Sequence, residues 1–138
     1  MSTLNYVGGC QCGSVRFVTA GELTNLCVCH CSDCRRSAGA PMVAWGTVAR
    51  KEFRVTHGRM AEYRSSAKVT RGFCASCGTS LTYAHDERAH ELDVTLASFD
   101  APEVPAPQAH VWVQNKLPWV VISDGRPQFA RGSNEPAS

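Results

Sequence analysis

Eight cysteines in three short clusters constrain this chain more than any other feature of its sequence. The clusters occupy residues 10–12, 27–34 and 74–77. The sequence opens without a secretion signal, so we expect a cytoplasmic protein. In that reducing compartment, clustered cysteines bind metal or perform redox chemistry more often than they form disulfides. The spacing of the cysteines therefore has to distinguish these uses.

The first and last clusters together predict a structural zinc site. Cys74 and Cys77 are separated by two residues and precede Gly78, a pattern typical of a zinc knuckle with Zn–S bonds of about 2.3 Å. A closed tetrahedral site needs two further ligands, and Cys10 and Cys12 form the other isolated pair. The alternatives are a disulfide, ordinary buried thiols, or a redox Cys-x-x-Cys, whose βαβ surroundings the sequence lacks.

The central cluster predicts a second, weaker zinc site. Cys29, Cys31 and Cys34 lie within six positions, so a strand end followed by a turn can bring three thiolates together. Three protein ligands leave the fourth position of a tetrahedral zinc open to water or to a substrate thiol. This cluster is therefore the candidate active site.

Cys27 and His30 lie close to these ligands in the sequence, and we do not expect either of them to bind the metal. Cys27 and Cys31 are four residues apart, which in an extended strand is about 13 Å, so we expect Cys27 to be a packed strand residue unless the chain curls there. His30 lies between two ligands and should point to the opposite face. We expect it to pack or to support the site, and not to bind the metal directly.

The remaining sequence predicts a mainly β fold. Residues 14–18, 42–48 and 91–96 are short, partly alternating runs rich in β-branched side chains, which favours strands. We expect one short helix after Cys31, an extended loop over residues 98–108 and a flexible tail at 131–138. A chain of 138 residues suits a single domain spanning 1–138.

Charge and composition argue against two classes of partner. The net charge is only +2, aromatic residues make up 8%, and no long run of like charges occurs, so we expect no nucleic-acid partner. No stretch approaches the roughly eighteen apolar residues of a membrane span, so we expect no membrane partner either. The oligomeric state cannot be predicted from these features.

Three ordered motifs resemble one known family. Residues 9–17 (GCQCGSVRF), 29–36 (CHCSDCRR) and 71–79 (RGFCASCGT) are similar to those of the glutathione-dependent formaldehyde-activating family, which includes centromere protein V. The resemblance runs over about residues 8–125. It implies several coiled antiparallel β-sheets around a structural zinc site. It also assigns the cysteines to the two zinc sites in the same way as their spacing does. The structural zinc would lie on Cys10, Cys12, Cys74 and Cys77, and the catalytic zinc on Cys29, Cys31 and Cys34.

The resemblance also implies a reaction. It implies a carbon–sulfur lyase that makes or breaks a thiol–aldehyde adduct, in the name-giving enzyme between glutathione and formaldehyde to give S-hydroxymethylglutathione. Fold alone does not fix the substrate. Arg35 and Arg36 follow the last ligand and could clamp substrate carboxylates, or could be solvated surface residues.

Two non-enzymatic alternatives remain open. The chain could be a zinc-binding interaction module, although it has no basic tail for phosphate contacts. It could also be a thiol-responsive protein in which only the structural zinc is bound.

We expect at least two of the three tryptophans, Trp45, Trp112 and Trp119, to be core residues. Four other histidines lack ligand spacing, and we expect only packing or solvent contact from them: His57, His85, His90 and His110.

Overall fold

The computed structural model describes residues 5–101 and 104–132. Within these residues the chain forms ten strands in two sheets and one α-helix, α1 (Ser32–Ala38). The strands are β1 (Asn5–Gly9), β2 (Arg16–Ala20), β3 (Thr24–Cys29), β4 (Val43–Ala49), β5 (Phe53–His57), β6 (Ala61–Ser66), β7 (Val69–Phe73), β8 (Ser80–His85), β9 (Glu91–Thr95) and β10 (Ala109–Val111).

The predicted mainly β class is confirmed, and so is the short helix after Cys31. The runs predicted at residues 42–48 and 91–96 correspond to β4 and β9. The run predicted at 14–18 begins two residues later, as β2, because residues 11–14 are taken up by a turn. Within the described residues, no helix combines the length and the apolar character that crossing a lipid bilayer requires.

The described residues divide into two compact units. The first contains residues 5–24, 46–101 and 104, and the second contains residues 25–45 and 105–132. The first unit holds the three-stranded sheet β1-β2-β5, in which both pairings are antiparallel. In the same unit, β6, β7, β8 and β9 pair in chain order, again antiparallel.

Aromatic side chains fill much of the core of the first unit. Phe17 is 1% exposed because β2 alternates its residues between the two faces of the sheet. Its ring stacks on Phe53 at a centroid distance of 5.2 Å and meets Phe99 edge-on at 5.3 Å. Leu81 and Val94, from paired strands β8 and β9, are completely buried.

The second unit is built around a parallel strand pair. Ala109, His110 and Val111 of β10 pair with Cys27, Val28 and Cys29 of β3. On the other side of β10, the N–H of His110 donates to the Pro127 carbonyl and the His110 carbonyl accepts from the Phe129 N–H, both at 2.9 Å. The fold thus differs from a purely antiparallel arrangement. A parallel pair needs a long connection, and residues 30–108 supply it.

The tryptophans do not follow the expectation that two of them are core residues. Trp45 is 6% exposed, Trp112 is half-buried, and Trp119 is 69% exposed. Trp119 follows Pro118 in a loop where Val120 takes the buried position and its neighbours on both sides point outward. Local alternation, and not residue type, therefore decides the position of Trp119.

Two predicted irregular segments are only partly described. Residues 100–101 and 104–108 contain no helix or strand, whereas residues 102–103 of the predicted loop lie outside the described residues. In the predicted tail, residues 133–138 lie outside them as well. The carbonyl of Arg131, the first residue of that tail, accepts a hydrogen bond of 2.8 Å from the Trp112 N–H.

Candidate metal centres

Two tight turns build the first group of cysteines. After β1, the Gly13 N–H donates to the Cys10 carbonyl at 3.2 Å, and Gly13 adopts a φ of 82°. Between β7 and β8, the Gly78 N–H donates to the Cys74 carbonyl at 2.8 Å, and Gly78 adopts a φ of 85°. Glycine takes this left-handed conformation without the clash that a Cβ causes, so each Cys pair is followed by a residue that lets the chain turn sharply.

The four sulfurs of this group lie close enough together to bind one zinc ion. Cys10, Cys12, Cys74 and Cys77 place their Sγ atoms within 4.8 Å of one another. The Cys10–Cys12 distance is 3.6 Å and the Cys12–Cys74 distance is 3.8 Å. Four Zn–S bonds of about 2.3 Å at tetrahedral angles put the sulfurs about 3.8 Å apart. The group therefore fits zinc in both ligand type and spacing.

Thr79 supports this group, and the cysteine spacing gave no sign of it. Its hydroxyl lies 3.2 Å from the Cys77 sulfur and accepts a hydrogen bond of 3.0 Å from the Gln11 N–H. Hydrogen bonds from the Thr79 hydroxyl and backbone lower the pKa of Cys77 to about 5. Thr79 thus connects the two turns and favours the thiolate form that binds metal.

The second group of cysteines forms where β3 passes into α1. Cys29 ends β3, Cys31 caps the helix by accepting a hydrogen bond of 3.3 Å from the Cys34 N–H, and Cys34 lies in the first turn. The three sulfurs lie within 4.8 Å of one another. Cys29 and Cys34 are buried and Cys31 is half-buried. The group fits three bonds to one zinc ion.

Cys27 lies outside this group among the described residues. It occupies β3, opposite Ala109 of β10, two positions before Cys29. Because β3 remains extended as far as Cys29, the chain does not curl before the ligands as a fourth thiolate from Cys27 would require.

Hydrogen bonds favour a thiolate within the second group. Bonds from the Cys29 and Cys34 thiols lower the pKa of Cys31 far below the usual value for a thiol. Hydrogen bonds with Cys31 and Cys34 raise the pKa of Cys29. The Cys34 sulfur also has a side-chain hydrogen bond from Trp45, which is buried. The indole N–H is the donor, so this bond lowers the pKa of Cys34, whereas the hydrogen bond with Cys31 and burial raise it and dominate. The cysteine spacing did not point to Trp45.

The two arginines after the last ligand differ in their surroundings. Arg36 is exposed on α1. Arg35 is half-buried, and its Nε is a buried donor without a hydrogen-bond partner in the part of the chain that the structure describes. An unpaired buried guanidinium N–H costs free energy, so the position of Arg35 is better suited to a bound anion than that of Arg36.

His30 has its side chain fully buried, at 0% exposure. Burial, followed by the charges of His110 and Lys116, lowers the pKa of His30 to about 4, so the ring is neutral near pH 7. His30 Nε2 lies 2.9 Å from His110 Nδ1. His110, to which the sequence assigned no role, is therefore in contact with the residue between two of the candidate ligands.

A family model and a curated relative name the same family. The family model described as "Glutathione-dependent formaldehyde-activating enzyme" matches residues 5–115. A protein of Halomonas elongata named as a putative glutathione-dependent formaldehyde-activating enzyme is 32% identical over 127 residues, which cover 83% of this chain and 79% of the relative. A Schizosaccharomyces pombe protein named as an uncharacterized lyase is 27% identical over 111 residues, covering 80% of each chain.

A solved structure has the same fold. The crystal structure of a Rhodobacter sphaeroides protein superimposes with a TM-score of 0.58 at 25% sequence identity. The match covers 69% of this chain and 88% of that one.

Proposed function

This chain belongs to the glutathione-dependent formaldehyde-activating enzyme family, and we propose that it is a zinc-dependent carbon–sulfur lyase that makes or breaks a thiol–aldehyde adduct. The observation that carries the proposal is the group formed by Cys29, Cys31 and Cys34, three sulfurs within 4.8 Å of one another. Three thiolates hold a zinc ion and leave its fourth position for a substrate.

The two cysteine groups have different roles in this proposal. Cys10, Cys12, Cys74 and Cys77 supply all four positions of a structural zinc, which stabilises the fold. Cys29, Cys31 and Cys34 supply three positions of the catalytic zinc. When bound, that ion supplies the positive charge that lowers the pKa of a substrate thiol and presents it as a thiolate nucleophile.

The reaction is an addition without any change of oxidation state. The thiol sulfur forms a bond to the carbonyl carbon, the π bond of the carbonyl breaks, and its electron pair takes up a proton on oxygen. The thiol supplies the proton, so thiol and aldehyde give a hydroxyalkyl thioether with no further reactant. The family implies glutathione and formaldehyde as the pair and S-hydroxymethylglutathione as the adduct.

Arg35 is the residue best placed to orient an anionic thiol. Its unpaired, buried Nε belongs to a guanidinium that can bind a carboxylate through two parallel hydrogen bonds. Glutathione carries two carboxylates, and Arg36 follows on the same helix as the second candidate cation. Arg35 thus selects for a carboxylate-bearing thiol, while the three cysteines provide the site of reaction.

The proposal predicts faster exchange between free formaldehyde and its glutathione adduct. With ¹³C-formaldehyde and glutathione, magnetisation-transfer NMR should show an exchange rate above the spontaneous one when zinc-loaded protein is added. Cys31→Ala should reduce that acceleration by at least about 100-fold, because it removes a ligand of the catalytic ion. The matched control is Cys27→Ala, which removes a cysteine outside the group and should retain the acceleration.

Two results would contradict the proposal. A folded, zinc-loaded wild-type protein that leaves the exchange rate at its spontaneous value is not this enzyme. Equal activity in Cys31→Ala and in the wild type would place the chemistry elsewhere. In the first case, a zinc-binding interaction module or a thiol-responsive protein with only the structural zinc would become the better account.

A further inference from the structure

A continuous chain of hydrogen bonds runs from the surface of the second unit to the ring of His30, which lies between Cys29 and Cys31 in the sequence. Asp124 has a side chain that is 44% exposed, and its Oδ2 lies 2.7 Å from His110 Nε2. His110 is 5% exposed, and its Nδ1 lies 2.9 Å from Nε2 of His30. The two imidazole rings have centroids 5.1 Å apart and planes inclined by 37°.

The outer end of this chain is held in place by a turn. Asp124 Oδ1 accepts a hydrogen bond of 3.1 Å from the Arg126 N–H, so both oxygens of the carboxylate have partners. The His110 hydrogen bond and the Arg126 N–H lower the pKa of Asp124, so the group is an acceptor near pH 7. A carboxylate in two hydrogen bonds cannot rotate freely, and it therefore fixes the direction of the His110 ring.

The acceptor at the outer end sets the direction of the hydrogen bonds further in when the His110 ring is neutral. Since the carboxylate only accepts, His110 Nε2 carries a proton, and in a neutral imidazole Nδ1 is then the acceptor. In this arrangement His30 Nε2 carries the proton that it donates to His110. This leaves His30 Nδ1 as a bare acceptor, and that atom is buried with no hydrogen-bond partner among the described residues.

His30 is held by its backbone as well as by its ring. Its N–H donates to the Val111 carbonyl at 3.0 Å, which extends the pairing of β3 with β10 by one residue. In an extended segment successive side chains point to opposite faces. A His30 ring fixed on the His110 side therefore directs Cys29 and Cys31 together to the other side.

We propose that Asp124 and His110 are positioning residues for the second metal centre: through the buried ring of His30, they fix the direction in which Cys29 and Cys31 present their sulfurs. Their side-chain hydrogen bonds go to His30, to each other and to the Arg126 N–H, and not to the sulfurs. Groups that orient metal ligands typically change metal affinity by about 10–100-fold when they are removed. The inference rests on the proposed function in that it takes Cys29, Cys31 and Cys34 as ligands.

Two variants of equal size at position 110 test the inference. His110→Asn places an amide oxygen near the Nδ1 position and can still accept from His30, whereas His110→Leu cannot. We expect His110→Leu to weaken zinc binding at the second site by at least about 10-fold. His110→Asn keeps the bond to His30 and loses the bond to Asp124, so it should weaken the second site less than His110→Leu does. Chelator competition measures both sites, and the first site should be unchanged in both variants as an internal control.

A second variant and a direct measurement keep the test decisive if His110→Leu does not fold. Asp124→Ala changes a half-exposed residue, and it should weaken the second site in the same direction. In the wild type, long-range ¹H–¹⁵N correlations of the imidazole nitrogens should show His30 protonated on Nε2. If His110 and Asp124 only stabilised the fold, His30 would not need to be protonated on Nε2. Replacing them would then also weaken zinc binding at the first metal site.

Three results would overturn the inference. The first is an unchanged second-site affinity in folded His110→Leu and Asp124→Ala. The second is a His30 protonated on Nδ1, and the third is an equal loss of affinity at both sites. A wild-type protein that binds no second ion would overturn this inference and the proposed function together. A protein that binds two ions but leaves formaldehyde exchange unchanged would overturn the proposed function alone.

Discussion

Individual cysteines in the two groups should respond differently to substitution. Cys74 is 1% exposed, and the Cys77 N–H lies within hydrogen-bonding distance of its sulfur, at 3.4 Å. A structural zinc contributes its binding free energy to folding, so Cys74→Ser should give a protein that loses zinc and unfolds. Circular dichroism and zinc content of the purified protein measure both effects.

Cys31→Ser is the matched comparison for that prediction. Cys31 is half-buried and belongs to the three-cysteine group, so the variant should remain folded and keep about one zinc ion per chain. A well-folded Cys74→Ser protein with its full zinc content would show that the first group does not hold the structural ion.

At the scale of strands, the aromatic cluster of the first unit is the packing feature most open to test. Phe17 is 1% exposed and contacts Phe53 and Phe99. Phe17→Ala removes a fully buried ring and leaves a cavity, so we expect the free energy of unfolding to fall by about 3–5 kcal/mol. Urea denaturation of the zinc-loaded protein measures the change.

Tyr63→Ala is the control for this measurement, since Tyr63 is an aromatic residue of β6 that is 62% exposed. Its effect should stay within about 0.5 kcal/mol. Similar losses in the two variants would mean that burial in the sheet does not determine the contribution of Phe17.

The sequence predicted the turns and the helix that depend on residues close to one another along the chain. A Cys-x-x-Cys-Gly run predicts a tight turn, and the helix after Cys31 begins where that cysteine caps it. The mainly β class and the family resemblance are confirmed. The parallel pairing of β3 with β10 was not predictable, because it joins segments about 80 residues apart and no local pattern specifies such a partner.

The same limit applies to the residues that support the metal centres. His30 and His110 are 80 residues apart, and nothing near His110 resembles a ligand motif. The contacts of Thr79 with Cys77 and of Trp45 with Cys34 arise only when the chain is folded. Spacing therefore predicts which cysteines group together, whereas the groups that orient them depend on tertiary structure.

On the scale of the whole molecule, each compact unit contains one cysteine group. The four-cysteine group lies in the first unit and the three-cysteine group lies in the second. The central claim of this account is that the second group is an open metal site. A closed site of four thiolates and an open site of three differ in the number of sulfurs bound to the metal, which can be measured directly.

The most direct measurement is the absorption spectrum of the cobalt-substituted protein before and after glutathione is added. The account predicts two cobalt ions per chain, one with four sulfur ligands and one with three, and it predicts that glutathione converts the second ion to four-sulfur coordination. Cys31→Ala should abolish this response, and Cys27→Ala should leave it unchanged. A second ion that has four sulfurs without added thiol, and loses one in Cys27→Ala, would show that the site is closed and would contradict the account.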